Sequence, residues 1–103
     1  MAKVLNLQMT VTVLKTATYL VNGCTTVVLC VELHAPVDGL HTESVYTLSI
    51  SALQVRSRKV MAELALVCKH EVIKLELGGV LDGECYIEVD KLFYLQNLSR
   101  AAL

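Results

Sequence analysis

The chain has 103 residues, 54% hydrophobic, 18% charged and 5% aromatic, with nine Lys and Arg against ten Asp and Glu and a net charge of −1. That length is one domain's worth of material, and a chain so apolar and so nearly neutral buries its surface, which excludes intrinsic disorder. No basic excess advertises nucleic acid or an anionic membrane. Mean hydropathy is +0.55, yet no apolar run is longer than Val27–Val31, far short of the roughly 20 residues a spanning helix needs.

The segment before Asn6 has no apolar core of signal-peptide length. A cytoplasmic location is expected on that ground, with Cys24, Cys30, Cys68 and Cys85 reduced. Cys24, Cys30, His34 and His41 come nearest to a metal-ligand set, but their spacings match no zinc pattern. They read as buried free thiols and ordinary loop histidines, and no metal or cofactor is expected.

Leu5, Leu7, Met9, Val11 and Val13 alternate with Asn6, Gln8, Thr10 and Thr12, the period-2 pattern of a strand with one buried and one wet face. The phase breaks around Lys15-Thr16-Ala17 and resumes at Thr18, which predicts a bulge or bend in a long curved strand. Asn22-Gly23 then marks a type I′ hairpin turn, since both residues tolerate positive φ. A second strand is predicted over Thr25–His34, apolar on both faces near its centre. Residues 35–43, with the single proline and an Asp-Gly pair, read as the longest exposed loop. A third strand follows over Val45–Leu53.

From Ser57 to Lys69 the period changes. Val60, Met61, Leu64, Val67 and Cys68 form a helical face, Ser57 is placed to cap it, and Lys69-His70 sit at the expected end. Val72–Leu77 alternates again, Gly78-Gly79 and Asp82-Gly83 are turn or bulge signals, and a last strand is predicted over Glu84–Leu95. One domain therefore spans residues 1–95, with 96–103 a frayed tail. The order is three strands, a helix and a hairpin, with no βαβ repeat. So short and apolar a sheet resolves its edges by closing. The expected fold is all-β with one helix, a five-stranded OB-fold-like barrel with the helix between strands 3 and 4.

Val45-Tyr46-Thr47-Leu48-Ser49-Ile50, the helix Met61–His70, Val72–Leu77 and Tyr86–Leu92 resemble successive elements of the bacterial single-stranded DNA-binding proteins and the related primosomal replication protein B. The first half is similar in layout: strand, Asn-Gly hairpin, strand, loop. The resemblance implies an OB-fold that binds single-stranded nucleic acid, DNA foremost, in replication and without catalysis. Two departures stand out: Val13-Leu14-Lys15-Thr16 replaces a glycine-bearing segment of the family, and the chain has no Trp and a single Phe.

Such binding needs cations for the backbone and aromatic faces for bases. The one dense basic cluster is Arg56-Ser57-Arg58-Lys59, and Lys15 joins Arg56, Arg58 and Lys59 as a phosphate candidate. Tyr46 stands near an aromatic position of the family's third strand, although its phase with Leu48 and Ile50 also suits the core. Tyr19, beside the hairpin, is a second stacking candidate. Tyr86 shares a face with Glu88 and Asp90 and is set aside, while of the consecutive Phe93 and Tyr94 one is expected in the core and one outside. No nucleophile, phosphate-loop or dinucleotide motif occurs, so no enzyme is expected. Strands apolar on both faces want cover on both sides, which implies a homo-oligomer, a dimer or tetramer. The rival reading is a protein–protein or assembly module of the same fold that binds no nucleic acid.

Overall fold

The computed structural model describes residues 3–40 and 44–100. Five strands, β1 (Lys3–Val21), β2 (Cys24–Leu33), β3 (Val45–Ser51), β4 (Val72–Asp82) and β5 (Tyr86–Asn97), close in the order β1-β2-β3-β5-β4. Only β3 and β5 pair parallel. A 3₁₀ turn (Ala52–Gln54) and one helix, α1 (Arg58–Leu66), separate β3 from β4. This is the expected OB-like barrel with its helix in the expected place. No helix among the described residues is long and apolar enough to cross a membrane.

β1 closes the barrel by serving two neighbours. Its first half, Lys3–Thr12, pairs with β4, and its second, Val11–Val21, with β2. The register with β2 slips between Val13 and Lys15, so the phase break is a bulge at Leu14. Before it, alternate residues from Leu5 to Val13 are buried; after it, Thr16, Thr18 and Leu20 are exposed. The β1–β2 hairpin thus leaves the barrel as an arm. It turns at Asn22 (φ 50°) and Gly23 (φ 78°), the two left-handed residues of a type I′ turn.

Inside, Val27, Leu29 and Val31 of β2 meet Tyr46, Leu48 and Ile50 of β3, Ile73, Leu75 and Leu77 of β4, and Ile87 and Val89 of β5 in one core. The helix adds buried Val60 and Leu64. Its start is as expected: the Ser57 hydroxyl accepts from the Val60 N–H at 3.3 Å. Its end is not. Val67 has extended backbone, so Cys68 leaves the helical face and is exposed, and Lys69-His70 lie beyond the last turn.

Gly78-Gly79 do not end β4. They lie within it, at register slips against β5 between Glu76 and Leu77 and between Gly78 and Gly79. A Cβ on Gly79 would stand 2.7 Å from the Glu88 carbonyl oxygen, so only glycine allows the two strands to approach this closely. In the loop after β2, Leu40 is buried rather than exposed, bridged to Val37; residues 41–43, with His41, lie outside the described residues.

The expected frayed tail is tied down as far as Arg100. β5 runs to Asn97, whose side chain is buried and whose Oδ1 accepts from the N–H groups of Ser99 (3.1 Å) and Arg100 (3.3 Å). Ser99 Oγ accepts from the Val72 N–H at 2.8 Å. Asn97 makes a small turn with its own side chain, the local competition typical of Asn, and so holds a segment whose composition alone suggests fraying.

Candidate nucleic-acid interface

Two outward regions carry the candidate residues. The first is the outer face of β1, β2, β3 and the start of β5. Register fixes its rows: Lys15, Cys30, Thr47, Tyr86; then Ala17, Val28, Ser49, Glu88; then Tyr19, Thr26, Ser51. Its centre is small and half-buried. Lys15 and Tyr86 end one row three strand spacings apart, roughly 14 Å. Tyr19, 55% exposed, lies on the arm, four residues or roughly 13 Å along β1 from Lys15.

The second region is the seam where the 3₁₀ turn and α1 cross β5. Here alternation fails. Glu76 pairs with Tyr94 and Leu77 with Leu92, so Phe93 is the extra residue of a bulge. Leu92 and Leu95 are both buried, while Phe93 is 60% and Tyr94 36% exposed. The expectation that one of the two aromatics enters the core is therefore corrected. Both face outward, because the bulge spans the three-residue step between two inward leucines.

Arg56, Arg58 and Lys59 are exposed, and Arg56 and Lys59 line this seam. Arg56 lines a cleft of about 310 Å³ with Asp90, Lys91 and Phe93. Lys59 lines an adjoining stretch of about 420 Å³ with Glu63, Tyr94 and Arg100. Each cleft thus combines two cations, one carboxylate and one outward aromatic ring. Helix α1 has no acidic residue in its first turn, so nothing there offsets the partial positive charge of its N-terminus.

Among the described residues the one ion pair is Arg100–Glu71, 2.8 Å from Nε to Oε2. Hydrogen bonding from the Arg100 side chain is the largest influence on Glu71 and holds its carboxyl below its ordinary range; the same bond raises Arg100 further. Arg56, Arg58 and Lys59 are in no ion pair among the described residues, so their charges remain available to a ligand.

The sequence-derived set therefore divides. Arg56, Arg58 and Lys59 come together; Lys15 and Tyr19 sit on the β1–β2 arm; Tyr46 drops out. At 1% exposure, among the largest fully buried side chains, Tyr46 offers no ring face to a base, its inward phase with Leu48 and Ile50 having decided its place. Lys91, Phe93, Tyr94 and Arg100 are seam residues outside the sequence-derived set, although one of the two aromatics was expected to face outward. The signal that could have found them is Leu92-Phe93-Tyr94-Leu95, whose flanking leucines are three apart and cannot both face inward on a regular strand.

No cluster of three or more metal-ligating side chains occurs among the described residues. His34 Nε2 lies 2.7 Å from the Thr12 hydroxyl. Neither protein-family models, nor curated proteins, nor solved structures yield a match to the chain.

Proposed function

We propose that this chain binds single-stranded nucleic acid, DNA foremost, without catalysis, and that it does so along the seam between α1 and β5. The observation that carries this reading is the pairing of outward rings with cations that are in no ion pair among the described residues: Phe93 in one cleft with Arg56, and Tyr94 in the next with Lys59, Arg58 lying between those two cations in sequence. A strand laid there places phosphates on the cations and bases on the rings, the two contributions that sequence-tolerant binding requires. The net charge of −1 does not oppose this, since Debye screening confines the field that matters to about 10 Å. The resemblance of the strand and helix segments to single-stranded DNA-binding proteins points the same way and suggests a cytoplasmic role in replication.

Fluorescence anisotropy of a labelled single-stranded oligonucleotide at 50 and 200 mM salt tests the reading. Binding that weakens steeply with salt supports it; no binding at micromolar protein overturns it.

One observation favours the second reading, a homo-oligomeric assembly module. Beyond Val13, whose backbone still bonds to His70 and Glu71, β1 is paired on one side alone, by β2, and its tip exposes Leu20 (76%) and Val21 (50%). Such an edge pairs readily with another strand. Light scattering during size exclusion reads the assembly state, and assembly without nucleic-acid binding would favour this second reading.

A further inference from the structure

Phe93 is the shared wall of two clefts of opposite character. On one side it lines the seam cleft with Arg56 and Lys91, two cations against the single carboxylate of Asp90. On the other it closes a cleft of about 330 Å³ on the outer face of β1 and β4, lined by Asn6, Gln8 and Glu76. There Gln8 Nε2 donates to Glu76 Oε1 at 2.8 Å. This bond engages one of the two Gln8 Nε2 hydrogens; Gln8 Oε1 and the Glu76 carboxylate remain as acceptors, and the carboxylate's charge makes the pair a net acceptor. Asn6 and Gln8 stand two residues apart on β1 and point to the same face, and Gly78, paired to Asn6, adds no side chain of its own, the Asp90 carboxylate lying over it beside Asn6.

A nucleotide stacked on Phe93 has one orientation that suits both clefts. Its phosphate turns toward Arg56 and Lys91, away from the Glu76 carboxylate, and its base edge turns toward Gln8 and Glu76. We infer that Phe93 and the Gln8–Glu76 pair form a base-discriminating subsite that prefers bases presenting N–H donors, guanine first. Guanine offers N1–H and the exocyclic N2 amino group side by side, which matches a carboxylate. Thymine offers one N–H between two carbonyl oxygens, so it gives the Glu76 carboxylate a single donor and sets a carbonyl oxygen against it.

This rests on the proposed nucleic-acid reading, and the experiment separates the two. Competition anisotropy compares three pentanucleotides identical except at the centre, which holds guanine, hypoxanthine or thymine, against the wild-type protein, Glu76→Gln and Phe93→Ala. The guanine oligomer is expected to bind roughly five- to tenfold more tightly than the thymine one. Hypoxanthine, lacking the N2 amino group, should fall between. Glu76→Gln should narrow the guanine-to-thymine ratio to about twofold or less, and Phe93→Ala should weaken all three. Wild-type binding without base preference, or a preference that survives in Glu76→Gln at unchanged thermal midpoint, overturns the subsite and leaves the general reading standing. Failure of every oligomer to bind overturns both.

Discussion

The outer face of β2 and β3 and the seam along β5 are built from strands of the same barrel, yet they present different chemistry. On β2 and β3 the period of two is unbroken. Small residues such as Val28, Cys30, Thr47 and Ser49 stand outward in register, and the surface is smooth and short of charge. On β5 one extra residue turns two successive aromatics outward, and the link into α1 brings Arg56 and Lys59 into the clefts beside them. A bulge is therefore worth more to a binding surface than the strand type around it, since it concentrates on one spot what regular alternation spreads over four residues.

The sharpest way to break this contrast is to discharge the seam. Arg56→Ala/Arg58→Ala/Lys59→Ala is expected to weaken single-strand binding by at least about tenfold at low salt, and to flatten the log–log salt dependence by about 2, near 0.7 per lost phosphate contact. Anisotropy titrations across a salt series measure both. Removing one ring comes next. Phe93→Ala or Tyr94→Ala should each cost about 1–3 kcal/mol of binding, as for one stacked base, whereas Tyr86→Ala on the smooth face should change affinity by about twofold or less. Equal losses from Tyr86 and Phe93 would erase the distinction between the two regions.

The strand crossing that shapes the seam can be attacked without touching it. Gly79→Ala forces a Cβ to within 2.7 Å of the Glu88 carbonyl and should lower stability by about 1–3 kcal/mol in denaturant titration. The smallest effect is expected at the seam's far end. Because Arg100 holds the Glu71 carboxyl low, the pair stabilises the fold above the ordinary carboxylate pKa of about 4.3. That contribution is lost as pH falls through the lowered folded value. Thermal midpoints of Glu71→Gln should lie below wild type at neutral pH and converge with it in acid; a constant gap across pH would exclude the linkage.

Much of the barrel was legible because its signals are local. Alternation in Leu5–Val13, positive-φ tolerance at Asn22-Gly23 and the Ser57 cap each follow from a few neighbouring residues. Tyr46 belongs here too, since its phase already pointed inward. What stayed hidden depends on partners distant in sequence. Gly78-Gly79 reads as punctuation until Glu88 is known to pass beside it. The outward turn of both Phe93 and Tyr94 depends on how β4 is registered against β5. The hold on residues 98–100 depends on Val72 and Glu71, more than 20 residues earlier. Arg56, Arg58 and Lys59 could be found by adjacency; for the aromatic half of the seam the three-residue spacing of Leu92 and Leu95 was the local hint.

The double duty of β1 sets an order on folding. Its hairpin with β2 needs only a short loop closure and can form as soon as Leu33 exists, on the microsecond scale of hairpins. Its first half waits for β4: Lys3 pairs with Leu81 and Thr12 with Val72, so every one of those contacts bridges 60 residues or more. During synthesis at about 5–20 residues per second, Leu5, Leu7 and Met9 therefore spend several seconds outside the ribosome as an apolar stripe with no strand to pair with. Interspersed Asn6, Gln8, Thr10 and Thr12 keep that stripe discontinuous, so the wet face of β1 serves as protection for the nascent chain before it becomes the outside of a barrel.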